Sequence, residues 1–170
     1  HLGNAFNSMV RSIKQSEEKI ERDHHVQRVI SSVLRIFLEP ISLEKQLEKA
    51  LDLIFSVPNL SVIPKGSIFL VDEDPEALVM KAHKGLAEPL LSTCMNVPFG
   101  RCLCGKAASE RKIIFADRID DIHEIKFQQM SPHGHICIPV MSEDSLVGVI
   151  NLYVEESHQR SRVEEVFLSA

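Results

Sequence analysis

Along residues 4–38 the apolar positions recur at helical spacing. Phe6, Met9, Ile13 and Ile20 are separated by three, four and seven residues, and Val26, Val29, Ile30, Val33, Leu34 and Phe37 continue the stripe. Neither Pro nor Gly occurs between residues 4 and 39, so the pattern predicts one long helix. Between Ile13 and Val26 the remaining positions are strongly polar: Lys14, Gln15, Glu17, Glu18, Lys19, Glu21, Arg22 and Asp23. A narrow apolar seam on so polar a helix needs a partner helix. The first half therefore points to a parallel two-stranded coiled coil and a homodimer. The second half, where the stripe broadens, points to packing on the domain. A long helix packed entirely on its own domain is the alternative.

Glu39-Pro40 ends this helix, because proline lacks a donor and disfavours helical geometry before it. Ser42 is a fitting N-cap for a second helix, with Leu43, Leu47, Ala50, Leu51 and Ile54 as its buried stripe and Val57-Pro58-Asn59 as its stop. Strand signals follow at 66–72 and 77–83, joined by Glu73-Asp74-Pro75. Residues 94–98 read as weakly extended, 100–105 as a turn, 106–110 as a short helix and 113–116 as a brief strand. Residues 117–132 are polar and irregular. Two strong strands, 136–141 and 145–154, flank the turn Ser142-Glu143-Asp144, and from Ser157 onward the pattern turns helical again. Antiparallel hairpins with helices at both chain ends predict an α+β layer fold. The terminal helices would cover one sheet face and the middle segment the other. The division expected is a helical segment over 1–40 and a domain over 41–170. The chain begins mid-pattern and stops in the first turns of a helix, which reads as a piece of a longer protein.

Composition narrows the function classes. With 44% hydrophobic residues the chain can build a core without disulfides. A net charge of −5, no Trp and one Tyr, Tyr153, exclude a nucleic-acid backbone or base-stacking partner. No apolar run approaches the ~18 residues of a membrane span, and no signal peptide is visible. Four cysteines in 170 residues do not resemble a secreted disulfide framework. They read as thiols, metal ligands or a redox pair in a reducing compartment.

Residues 94–140 hold all four cysteines and three of the eight histidines. Alternation along the strand places His135, Cys137 and Pro139 on one face and Ile136, Ile138 and Val140 on the other. The apolar set should pack on the terminal helices, leaving His135 and Cys137 on the opposite face as a pair able to bind one metal. A buried thiol beside a satisfied histidine is the plainer reading of the same two residues. Cys104 falls near a helix N-terminus, where aligned amides favour a thiolate. Cys102 shares its face only if the stretch is extended. His123 lies in the polar loop and His133 before a glycine, whereas His83 ends a strand and reads as ordinary. The pocket expected is thus Cys102, Cys104, His123, His133, His135 and Cys137, with Cys104, His135 and Cys137 as the metal set. Sulfur and imidazole ligands suit zinc, iron or a haem axial bond. The spacing matches no standard zinc motif, so a small organic ligand, or none, stands beside the metal. The pair His24-His25 lies in DHHVQRV, which lacks the pattern of a kinase phosphoacceptor histidine.

The order of elements, together with VPFGRCLCGKAA and PVMSEDSLVGVINLYV, resembles a GAF domain over about residues 41–170. The resemblance implies an antiparallel sheet with a ligand pocket on the face opposite the terminal helices. It also implies a sensory role, with ligands that across the family include cyclic nucleotides, bilins, haem, iron and small metabolites. The Cys-His pair of bilin-binding members is absent, and no cyclic-nucleotide signature is evident. The opening LGNAFNSMVRSIKQSEEKI resembles the last helix of a HAMP module. That implies a dimeric parent anchored in the inner membrane, with this domain on the cytoplasmic side and a two-component kinase or a cyclase as output. VPFGR followed by a Cys-Gly is also similar to free methionine-(R)-sulfoxide reductase. Cys94 and Cys104 fall where that family has two of its three redox cysteines, a possible redox pair. Its third, catalytic cysteine lies in the next loop, which here reads HEIKFQQMSPHGHI and has none. The expectation is therefore a regulatory sensor domain that does not itself catalyse, with a thiol-dependent reductase as the alternative.

Overall fold

The computed structural model of the chain describes residues 2–57, 60–72, 76–161 and 164. By its contacts the chain divides into two units, His1–Glu39 and Pro40–Ala170. The first is a single helix, α1 (Leu2–Phe37). Met9, Val10, Ile13, Ile20, Ile30, Leu34 and Phe37 are all exposed on it. No helix among the described residues is long and apolar enough to cross a membrane.

The second unit opens with α2 (Leu43–Phe55), where Ser42 Oγ accepts the backbone N–H of Lys45 as the N-cap pattern requires. Leu47, Ala50 and Leu51 are buried as expected, Ile54 is half-buried and Leu43 is exposed. After it come β1 (Ile63–Val71), β2 (Ala77–Lys84), α3 (Glu88–Thr93), β3 (Asn96–Pro98), α4 (Cys102–Glu110), β4 (Ile114–Ala116), β5 (Gly134–Ser142) and β6 (Ser145–Val154). The strands form one sheet in the order β3-β2-β1-β6-β5-β4, each neighbour antiparallel. This is the α+β architecture expected from the order of elements. The expected hairpin turn at 73–75 and the helix expected beyond Ser157 fall largely outside the described residues. Within the latter segment Glu164 is buried and accepts the backbone N–H groups of Ser61 and Ser161.

Alternation along the strands builds a two-layered core. On one face Ile68, Ala82, Ile136, Leu152 and Val154 pack with Leu47, Ala50 and Leu51 of α2. On the other, Phe69, Leu78, Met80, Cys137 and Val149 pack with Leu103, Cys104, Ala107 and Ala108 of α4. Each fully buried Leu or Ile in these layers contributes about 1.5–3 kcal/mol of transfer free energy.

Two elements differ from the sequence expectation. Helix α3 was not expected, although Pro89 in its first turn is a start signal. Helix α4 begins at Cys102 rather than at 106. Arg101 at its N-cap makes no side-chain cap; instead Glu124, from the loop after β4, accepts the backbone N–H of Cys102 at 3.0 Å. A cap supplied 22 residues away leaves no local trace in the sequence. Gly105 lets α4 settle against β3, because any Cβ there would meet the carbonyl oxygen of Pro98.

A candidate histidine-lined site

The sheet register sets out the site row by row. Ser67 pairs with Asn151 across β1 and β6, and Asn151 pairs with Cys137 across β6 and β5. One step along, Tyr153 pairs with His135, and His135 with Ala116 of β4. Side-chain parity then turns Ser67, Asn151, Tyr153, His135 and Cys137 to the same face, the one covered by α4. This is the face expected for His135 and Cys137, while Ile136 lies on the α2 side. Gly134 brings β5 in close, since a Cβ there would meet the carbonyl oxygen of Ala116. His133 and His135 flank that glycine.

The loop after β4 closes over this face. Asp120 Oδ1 accepts the backbone N–H groups of Ile122 and His123, an Asx turn that fixes the approach of His123. The next residue, Glu124, is held by Arg101 through Nε at 3.1 Å and Nη2 at 2.8 Å, besides capping α4. His123 is thereby tethered over the sheet from both sides. His123, His133 and His135 are all buried. Their ring centroids lie 4.8 to 5.5 Å apart, and Tyr153 packs against His133 at 4.8 Å and His135 at 4.3 Å.

The hydrogen bonds assign the tautomers. His133 Nδ1 lies 2.6 Å from the carbonyl oxygen of Ser131, which can only accept, so Nδ1 carries the hydrogen. His135 Nδ1 lies 2.9 Å from Asn151 Oδ1 and donates in the same way. Both rings thus present a bare Nε2. His123 Nε2 lies 3.0 Å from His135 Nε2 and donates to it. His123 Nδ1 and His133 Nε2 are left buried with no hydrogen-bond partner; the backbone of His123 and Ile125 biases the first ring toward its proton without closing a bond to Nδ1. All three rings are pushed toward the neutral form chiefly by burial, His135 furthest, to about 3. One ring nitrogen from each lies within 4.8 Å of the others.

Cys94, Cys102 and Cys104 line the same cavity as His123 and His135. Cys104 Sγ lies 3.8 Å from Cys137 Sγ, and Cys137 donates to Asn151 Oδ1 at 3.5 Å. All four cysteines are free thiols, so the expected redox pair Cys94 and Cys104 is not bonded. The thiolate expected for Cys104 is not favoured either. Its hydrogen bond with Cys137 and its burial hold it well above the usual thiol range, outweighing the helix N-terminus. Burial raises Cys102, and raises Cys94 to about 11. Cys102 sits at φ 51°, a left-handed conformation, and lines the cavity half-buried. The donors that converge among the described residues are therefore those of His123, His133 and His135, rather than the expected metal set Cys104, His135 and Cys137. His83 is exposed on β2, as an ordinary residue would be.

The space between α4, the loop and the sheet amounts to about 30 Å³, room for about one water molecule or an ion. A haem does not fit without displacing core side chains. Asn151, Ser67, Tyr153, Arg101 and Glu124 were not singled out from sequence. For Asn151 and Tyr153 the signal was available: they share strand parity with Val149 on β6, the strand that pairs with the one bearing His135.

The comparisons agree on the architecture. The family model for the GAF domain matches residues 41–169. The GAF domain of an Acinetobacter phosphoenolpyruvate-protein phosphotransferase superposes with a TM-score of 0.65 at 19% identity, covering 85% of this chain and 84% of that one. The free methionine-R-sulfoxide reductase of Neisseria meningitidis, solved with its substrate, gives a TM-score of 0.65 at 19% identity over 86% of this chain and 81% of that one. Protein YtsP of Bacillus subtilis is 25% identical over 107 residues, 61% of this chain. The match spans 60% of that curated relative's length.

Proposed function

The chain belongs to the GAF domain family, and from that premise we propose that it is a regulatory sensor domain. A small ligand or metal ion binds at the histidine cluster beside the cavity that His123 and His135 line, and its presence is passed to a second copy of the chain through α1. One observation carries this reading. The cavity's cysteines at 94, 102 and 104 are held protonated, while two buried imidazole nitrogens are left without partners. Thiol catalysis needs a thiolate. A thiol raised to about 11, as Cys94 is, is ionised to about one part in ten thousand at pH 7. Bare imidazole nitrogens in a buried cluster are suited to holding something instead.

The relay rests on α1. Met9, Ile13, Ile20, Ile30, Leu34 and Phe37 are exposed and fall on alternating steps of three and four. That is the a/d seam of a parallel two-stranded coiled coil, with Ser16, Asp23 and Gln27 as polar interruptions. The likeness of residues 2–20 to the end of a HAMP helix supports a parent receptor in which this domain lies between a membrane-proximal relay and an output domain.

The competing class is a sulfoxide reductase, as in the Neisseria meningitidis neighbour. Incubation with free methionine-(R)-sulfoxide and dithiothreitol is expected to give no turnover above the protein-free rate. Steady turnover that disappears in Cys104→Ser would replace the sensor reading with the enzymatic one.

A further inference from the structure

Building on the sensor reading, we propose that His123, His133 and His135 form a mononuclear site for a divalent first-row transition metal, of the zinc or ferrous-iron class. The starting point is an unsatisfied cluster. A buried polar atom without a partner is destabilising, and two of them, His123 Nδ1 and His133 Nε2, occur within this one group of three rings. A metal ion bound through Nε2 of the three rings would take up the bare His133 Nε2 directly, and at His123 the ring hydrogen would move from Nε2 to Nδ1.

The surrounding contacts fit that use. A ligating histidine characteristically donates its other ring N–H to a carbonyl or carboxamide, which fixes tautomer and ring orientation. His133 does so to the Ser131 carbonyl and His135 to the Asn151 side chain, and both leave Nε2 bare, in a cluster whose donor atoms lie within 4.8 Å of one another. The separation of His123 Nε2 and His135 Nε2, 3.0 Å, is close to the donor–donor edge of about 3.3 Å in a tetrahedral centre with bonds near 2.0–2.1 Å. The widest donor separation in the trio, within 4.8 Å, closes to that edge by ring rotation of roughly 1.5 Å at the donor atom. An ion entering between the rings replaces the single hydrogen bond of His123 to His135 by a bond to each.

The donor set also selects the metal. Three imidazoles without a carboxylate suit zinc, iron, cobalt, nickel or copper rather than calcium or magnesium. Of the nearby sulfurs, Cys137 is engaged with Asn151 and Cys104 with Cys137. Three protein ligands leave at least one coordination position open. Because all three are neutral, the ion keeps its two positive charges, which favours a small anion or hydroxide in the open position. That position is where a sensed molecule would bind.

The test is an anaerobic titration of chelator-treated full chain with Co²⁺, read by its visible d–d absorption, followed by displacement with Zn²⁺ and a parallel titration with Fe²⁺. The expected result is one equivalent of Co²⁺ per chain, displaced by Zn²⁺. Affinity should fall at least 100-fold in His123→Ala and in His133→Gln, far more than in Cys102→Ser or Cys104→Ser, neither of which removes an imidazole. His123 is on a loop, so His123→Ala should retain its circular dichroism, and His133→Gln provides an independent second substitution. Absence of stoichiometric binding by Co²⁺, Zn²⁺ and Fe²⁺ overturns the site. So does binding that survives both histidine changes or depends on the cysteines. The sensor reading fails by a different result, sulfoxide turnover, so the two failures are distinguishable.

Discussion

Asn151→Ala is expected to destabilise the metal-free domain by roughly 2–4 kcal/mol and to weaken metal binding about 10–100-fold. Asn151 is the hub of the buried polar row. Its Oδ1 accepts from His135 Nδ1 at 2.9 Å and from Cys137 Sγ at 3.5 Å, and its Nδ2 donates to Ser67 Oγ at 3.4 Å. Alanine fills none of these roles. The His135 N–H loses its acceptor in a region without bulk water, and the ring loses the contact that keeps Nε2 pointed at the cavity. Equilibrium denaturation gives the first quantity and the Co²⁺ titration the second. A stability loss below about 0.5 kcal/mol, a typical surface-substitution effect, with unchanged affinity would show that Asn151 does not position His135.

Acid is expected to unfold the metal-free domain well before its carboxylates are fully protonated. His135 is buried, and its proton affinity falls from an ordinary 6.5 to about 3. A depressed folded-state value means that the unfolded chain binds the proton more readily. The contribution is therefore fully present above about pH 6.5 and is lost as pH falls toward 3. The full difference is on the order of 4–5 kcal/mol, a large share of a domain's usual 5–15 kcal/mol. His123 and His133, lowered by the same burial, act in the same direction. Denaturation midpoints at pH 7.5, 6, 5 and 4 should fall steadily in the native sequence and less steeply in His135→Leu. Equal slopes in the two proteins would contradict the burial of a neutral His135.

What was legible in the sequence was what local signals carry. Ser42 caps α2 because its hydroxyl reaches the amide three residues on, an interaction encoded within one turn. Ile136 and Cys137 sort to opposite faces because strand parity is a property of neighbouring residues. The same parity, applied to β6, already points Asn151 and Tyr153 into the site. The errors lie where distant residues decide. Helix α4 starts early because Glu124 caps it from another loop. Cys104 is a neutral thiol because Cys137, 33 residues away, hydrogen-bonds it in the core, and burial overrides the helix terminus. The converging imidazoles differ from the expected metal set for a similar reason. His123 joins the other two histidines through the Asx turn at Asp120 and the clasp of Arg101 on Glu124. None of these is encoded by the spacing of the histidines themselves.

The regulatory reading is tested most directly by amide hydrogen exchange of the full chain with and without one equivalent of Zn²⁺. The expected result is slower exchange over residues 117–133 and β5 together with a change in exchange along α1 at the same occupancy. Protection of the loop and β5 with no change anywhere in α1 would contradict a relay from the histidine cluster to the helix.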